Sequence, residues 1–214
     1  MQNGIKLFLS ILFAFIYINA TGQTLIVKGG LNLSKISYKG MYDDTYVSPV
    51  GFRPGFNLGV AYEDAISDKF FVEAGPMLQM KGSKFIHNDT RSVTTLYLDM
   101  PIMLKGYFEL SEKISFYTST GIYLGVGIFG ETKSSYVEEI PWGENEWYGL
   151  SRYDFGLSLG GGFDYRGMQI GFAYDFSLID ISTDVNFGGE LKNNVMRFSF
   201  GYKFVKNRQS DDGK

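Results

Sequence analysis

Between Phe52 and Asp64 the chain reads FRPGFNLGVAYED, and its side chains alternate in character. Phe52, Pro54, Phe56, Leu58, Val60 and Tyr62 are apolar, whereas Arg53, Gly55, Asn57, Gly59, Ala61 and Glu63 are polar or small. A period of two marks a β-strand with two unlike faces. The same alternation recurs and predicts eight strands, at residues 25–34, 50–64, 69–82, 94–109, 113–129, 150–165, 168–178 and 195–204. In the third, Phe70, Val72, Ala74, Pro76, Leu78 and Met80 share a face opposite Glu73, Gln79 and Lys81. In the eighth, Met196, Phe198, Phe200, Tyr202 and Phe204 oppose Arg197, Ser199, Gly201 and Lys203. Short connections follow the second, fourth and sixth strands, the last being the Arg166-Gly167 turn. The remaining connections, 35–49, 83–93, 130–149 and 179–194, are longer and polar. That rhythm predicts an up-and-down antiparallel barrel with both chain ends on one side.

Two observations decide which face is expected inside. Glycines crowd the polar face, among them Gly55, Gly59, Gly121, Gly125, Gly156, Gly162 and Gly171. Glycine weakens a strand, and a narrow lumen with little room for side chains supplies a reason for it. The polar face also carries both signs of charge. Arg53, Lys81, Lys105, Arg152, Arg197 and Lys203 stand against Glu73, Asp99, Asp154, Asp164 and Asp175. Enclosed charges must pair, so these residues are expected to form an interior network. The apolar face is nearly free of charge, which suits lipid. Tyr62, Phe70, Phe108, Tyr153, Tyr165, Tyr174, Tyr202 and Phe204 lie towards strand ends, where aromatic girdles form. The expected fold is all-β, an eight-stranded antiparallel up-and-down transmembrane β-barrel. A soluble exported lipocalin-like barrel, with the apolar face turned inward around an apolar ligand, has the same periodicity and stands as the alternative.

Composition adds to this picture. Aromatics make up 17% of the 214 residues, cysteine is absent and glycine reaches 27 residues, a mixture that favours strands over helices. Residues 1–22 read as a signal peptide. Lys6 precedes an apolar run from Leu7 to Ile18, and Asn19-Ala20-Thr21-Gly22 offers small residues for cleavage. The barrel is expected over 23–205, followed by a polar tail at 206–214. A net charge of -3 without a basic run argues against nucleic acid as a partner.

Several stretches carry a resemblance. GLNLSKI in the first strand, RPGFNLGV, LYLDMPIMLKGYF, GIYLGVGIFG and a closing RFSFGYKF are similar to those of the outer-membrane β-barrel family that includes PorT-like proteins. Residues 96–107 match its YLEIPLLLKY-type strand, with Asp99 in the acidic position, Pro101 after it and Lys105 near the end. The resemblance spans the mature chain. It implies an eight-stranded barrel in the bacterial outer membrane, in contact with its lipid and with the barrel-assembly machinery during insertion. Some members are linked to protein secretion. Phe204 is similar to the family's terminal aromatic signal, although ten residues follow it here.

Catalytic chemistry finds little support. The one histidine, His87, sits in a loop sequence with Ser83 and Asp89 too near in the same loop to form a triad. One histidine and no cysteine exclude ordinary zinc sites. Glu138-Glu139, Glu144 to Glu146, and Asp180 with Asp184 offer oxygen ligands for calcium but read more simply as solvated loops. GLSLGGG lacks the Lys-Ser/Thr end of a phosphate loop. No catalysis, cofactor or metal is expected. The loop holding Tyr136, Trp142, Trp147 and Tyr148 is the candidate surface for a protein partner.

Overall fold

The computed structural model describes residues 24–40, 50–86, 90–133, 137–140, 142–143, 149–183 and 189–205. The expected signal peptide and the tail beyond 205 lie outside them. Where eight strands were expected, eleven appear among the described residues: β1 Thr24–Gly40, β2 Val50–Gly51, β3 Arg53–Ala65, β4 Phe70–Ala74, β5 Met77–Ile86, β6 Thr90–Ser111, β7 Ile114–Lys133, β8 Val137–Glu139, β9 Tyr153–Tyr165, β10 Met168–Ser177 and β11 Gly189–Val205. All belong to one sheet with antiparallel pairings.

The difference has two physical sources. Pro76 has no N–H to give a ladder, so the third expected strand is interrupted at Gly75-Pro76. The register does not slip there. Tyr62 faces Ala74 and Gly59 faces Met77 on one side, while Ala74 faces Ile102 and Met77 faces Asp99 on the other. The short strands β2 and β8 add to the far ends of β5 and β7. Several polar stretches expected as loops are also paired. Lys35–Gly40 continues β1 against Gly189–Asn194 of β11, and Ser92–Thr94 faces Glu131–Lys133. Polarity there marks a change of surroundings and leaves the ladder intact.

β1 lies between β3 and β11; β10, β9, β7 and β6 follow in order from β11; β6 then takes β5 and β4, and β3 flanks the same two. Thr24 faces both Val205 and Glu63, so the described chain ends meet at the end bearing the short turns. One of these turns is Arg166-Gly167, with φ of 51° and 87°. Positive φ at both central residues suits a tight hairpin whose twist matches its strands.

Alternation along the strands matches burial. Leu31 is 69% exposed, Ile170 65%, and Phe56, Leu58, Ile102, Phe172, Phe198 and Phe200 also point outward. Lys81 is 0% exposed and Asp99 2%. The lipocalin-like alternative required the opposite arrangement and is set aside, because charge lies within the sheet and the apolar face outside it. The buried apolar cluster of Ile140, Leu150 and Ile181, with Val93, Trp142 and Leu191 packed on it, lies at the end bearing the long connections.

Candidate functional site

The inward face of the barrel gathers most of the charges the sequence singled out, and it arranges them in layers. Nearest the long connections, Lys81 on β5 is held by Asp154 of β9 at 2.9 Å and Asp99 of β6 at 3.0 Å. The rings of Tyr97 and Tyr123 each lie 4.6 Å from its ammonium, close enough for cation–π attraction. The Asn193 amide donates to Asp154 at 3.0 Å, and the Tyr123 hydroxyl donates to it at 3.4 Å. A second group surrounds Asp175. Arg197 pairs with it at 3.1 Å, the Gln79 amide donates to it at 3.1 Å and the Ser158 hydroxyl at 2.5 Å.

Towards the short turns the ion pairs link into a chain. Lys28 pairs with Glu73, Glu73 with Lys105 at 2.6 Å, Lys105 with Glu63 at 3.1 Å, Glu63 with Lys203 at 2.6 Å, and Lys203 with Asp164 at 3.0 Å. Signs alternate along it, so three cations meet three anions. Tyr107 sits within this chain. Its hydroxyl donates to Glu63 at 2.7 Å and accepts from Lys203 at 3.0 Å and from Gln169 at 3.0 Å. The Tyr117 ring lies 4.5 Å from the Lys105 ammonium. The far end of the chain, at Lys203 and Asp164, reaches a mouth of about 860 Å³ that Phe71, Tyr107, Arg166 and Tyr202 also line.

Glycine makes room for these groups. A Cβ on Gly156 would lie 2.6 Å from the Tyr123 ring, and one on Gly162 would lie 2.7 Å from the Tyr117 hydroxyl. One on Gly125 would collide with the Asp99 carboxylate. Large rings and charges are thus admitted because the strands facing them carry no side chain.

The structure brings together Glu73, Lys81, Asp99, Lys105, Asp154, Asp164, Asp175, Arg197 and Lys203. Among the described residues Arg53 and Arg152 join no ion pair; they are half-buried, and the Arg152 guanidinium lies 5.8 Å from the Trp142 ring. Lys28 and Glu63 belong to the network, as do the four tyrosines, and the sequence reading did not place them there. Their signal was available, since inward parity in β1 and β3 selects both residues. Trp142, expected as an outward contact, packs inward. Its ring meets Tyr97 edge-on at 5.8 Å and occupies the space above Gly127, where a Cβ would lie 2.5 Å from it. Tyr136, Trp147, Tyr148 and His87 lie outside the described residues. Glu138 and Glu139 are exposed on β8, and the Asp180 carboxylate accepts from the Ser182 and Leu191 amides at 2.9 and 2.7 Å. Among the described residues no group of three or more His, Asp or Glu side chains is placed to hold a metal ion.

A family model described as outer membrane protein beta-barrel domain matches residues 24–183. No match to a curated protein is found. Among solved structures, the chain is similar to the attachment invasion locus protein Ail of Yersinia pestis, at 18% identity with a TM-score of 0.45, covering 86% of this chain and 100% of that one. It is similar to the outer membrane protein W of E. coli, at 18% identity with a TM-score of 0.43, covering 87% and 100%. For Neisserial surface protein A the identity is 12% and the TM-score 0.42, covering 84% and 97%.

Proposed function

The chain belongs to the outer membrane protein beta-barrel domain family and resides in the bacterial outer membrane, and from that premise we propose that it is a closed, eight-staved, non-conducting barrel with a structural or protein-interaction role in the envelope and no catalysis. The count of eight takes β4 and β5 as one stave, which the unbroken register across Gly75-Pro76 supports, and takes β2 and β8 as extensions. Pairing of β1 with β11 supports closure. The short turns then face the periplasm and the long connections the exterior.

The observation that carries this reading is the filled lumen. Charged side chains from facing strands consume one another in layers, and an apolar cluster lies beyond them at the exterior end. Barrels of this size leave an interior just wide enough for side chains to fill. Reconstitution into planar bilayers tests it: no steady conductance is expected, and a stable ohmic channel would overturn the reading. The exterior connections carry the interaction role, with Tyr136, Trp147 and Tyr148 as the contact residues. The PorT-like resemblance favours a partner in protein secretion. Replacing these three with alanine is expected to abolish cross-linking to an envelope protein on intact cells while the barrel's heat-dependent mobility shift stays. Unchanged cross-linking would remove the loop from the interaction.

A further inference from the structure

The barrel wall has one thin joint, between β3 and the stave formed by β4 and β5. Elsewhere the ladders run on for long stretches, as between β6 and β7 from Ser92–Lys133 to Ser111–Ile114. Across this joint pairing falls into three short patches, Val50–Gly51 of β2 against Lys84–Phe85, Asn57–Gly59 against Met77–Gln79, and Tyr62–Ala65 against Phe71–Ala74. Pro76 weakens it further. Val60 donates to the Pro76 carbonyl at 3.1 Å, but Pro76 has no N–H to return. On the other side of the same stave Gly75 donates to the Pro101 carbonyl at 3.4 Å, and Pro101 likewise returns nothing. The outward neighbours Leu58, Val60, Ile102 and Leu104 are apolar and exposed, so these rungs lie at hydrocarbon depth, where water cannot replace a missing bond. Between the first two patches a side chain does the stitching: the Asn32 amide donates to the Phe56 carbonyl at 3.0 Å and to the Met80 carbonyl at 3.2 Å.

Below, the joint sets two like charges against each other. Glu63 of β3 directly faces Glu73 of β4, and facing like charges push strands apart. Lys105 reaches in from β6 to both, at 3.1 and 2.6 Å. Among the described residues it is the one cation that touches both carboxylates, since Lys28 pairs with Glu73 alone and Lys203 with Glu63 and Asp164. We infer that this joint is a lateral seam and that Lys105 is its clasp. With the ammonium in place β3 and β4 stay joined. Without it the facing carboxylates part the seam towards the lipid, while the Lys81 layer, built on β5, β6, β7 and β9, stays assembled.

Hydrogen exchange of the full-length protein in phospholipid bilayers, resolved by segment, tests this. Lys105→Met is expected to speed exchange over 59–65 and 70–76 about tenfold or more, and to leave β9 and β10 unchanged. Adding Glu63→Gln removes the repulsion and still leaves Lys28–Glu73 and Lys203–Asp164 paired, so exchange should return towards that of the native protein. A side chain that merely filled space would not be rescued in this way. Uniform acceleration over the whole barrel, no acceleration, or no rescue by Glu63→Gln would each overturn the inference. Should Lys105→Met fail to fold, Asp64→Cys with Val72→Cys joins cross-strand neighbours of the seam. Folding restored by that disulfide supports the clasp, and failure with the disulfide formed refutes it.

Discussion

Lys81 and Lys105 have nearly the same surroundings. Each is buried with two carboxylates against its ammonium and two tyrosine rings beside it. They differ in how those carboxylates are shared. Neither Asp99 nor Asp154 has a second cation among the described residues, so Lys81 alone holds them, with Asn193 and Tyr123 adding neutral donors to Asp154. Glu63 has Lys203 as well, and Glu73 has Lys28. Lys81 also braces across the lumen, from β5 to β9, whereas Lys105 reaches from β6 to the next two staves and closes the joint between them. The same side chains therefore make a single-point brace in one layer and, in the other, a clasp between anions that each keep a second cation. The cost of losing a buried cation depends on what its anions can turn to.

The sharpest test is Asp99→Lys, which sets a second ammonium against Lys81 where no solvent reaches. A buried unpaired charge of this kind belongs to the rare class costing more than about 4–5 kcal/mol, and loss of the folded band in unboiled SDS gels is the expected result. Lys81→Met follows. It strands two carboxylates at once, and breaking a buried pair in this way costs about 3–5 kcal/mol, read from the urea midpoint of the same mobility shift. Lys105→Met should cost less, about 1–3 kcal/mol, because each glutamate keeps a lysine. Equal midpoints for the two lysine variants would break the comparison, since sharing would then be irrelevant.

How much of this was legible in the sequence depends on which link is asked about. Period-two alternation identified the strands of the membrane-facing wall. Glycines crowding the polar face, together with the two signs of charge on it, are the reason the inner face could be told from the outer. Strand length was misjudged at the end bearing the long connections. Lys35–Gly40 and Gly189–Asn194 are too polar for lipid and were taken for loops, yet they pair residue for residue. Polarity reports solvent, and ladders continue through it. Lys28 stands between Val27 and Gly29, in a strand whose faces were not separated, so its partner Glu73 was seen without it. Glu63 stood on the polar face of the second expected strand but was not carried into the network. The facing of Glu63 and Glu73 depends on register between two strands, which alternation along either one does not contain. Trp142 was assigned outward because exposed loop aromatics often bind partners, but the gap above Gly127 offers its ring a nearer site.

The smaller effects belong to the end bearing the long connections, where solvent is close. Trp142→Ala removes the edge-on pair with Tyr97 and should cost about 0.5–1.5 kcal/mol. Faster proteolysis of the long connections at an unchanged Lys81 layer would place that loss in the Ile140, Leu150 and Ile181 cluster alone. The smallest change is also the most informative about sign. Glu139 on β8 is exposed and directly faces Glu131 of β7. Glu139→Lys is the same reversal as Asp99→Lys, but it replaces a like-charged facing pair with an opposite one. In solvent such a pair counts for little, so the urea midpoint should stay within about 0.5 kcal/mol and lean towards greater stability. A large loss at Glu139 would mean that charge reversal harms this barrel wherever it occurs. A neutral or slightly stabilising outcome, beside collapse at Asp99, isolates burial as the reason the lumen tolerates its charges only in pairs.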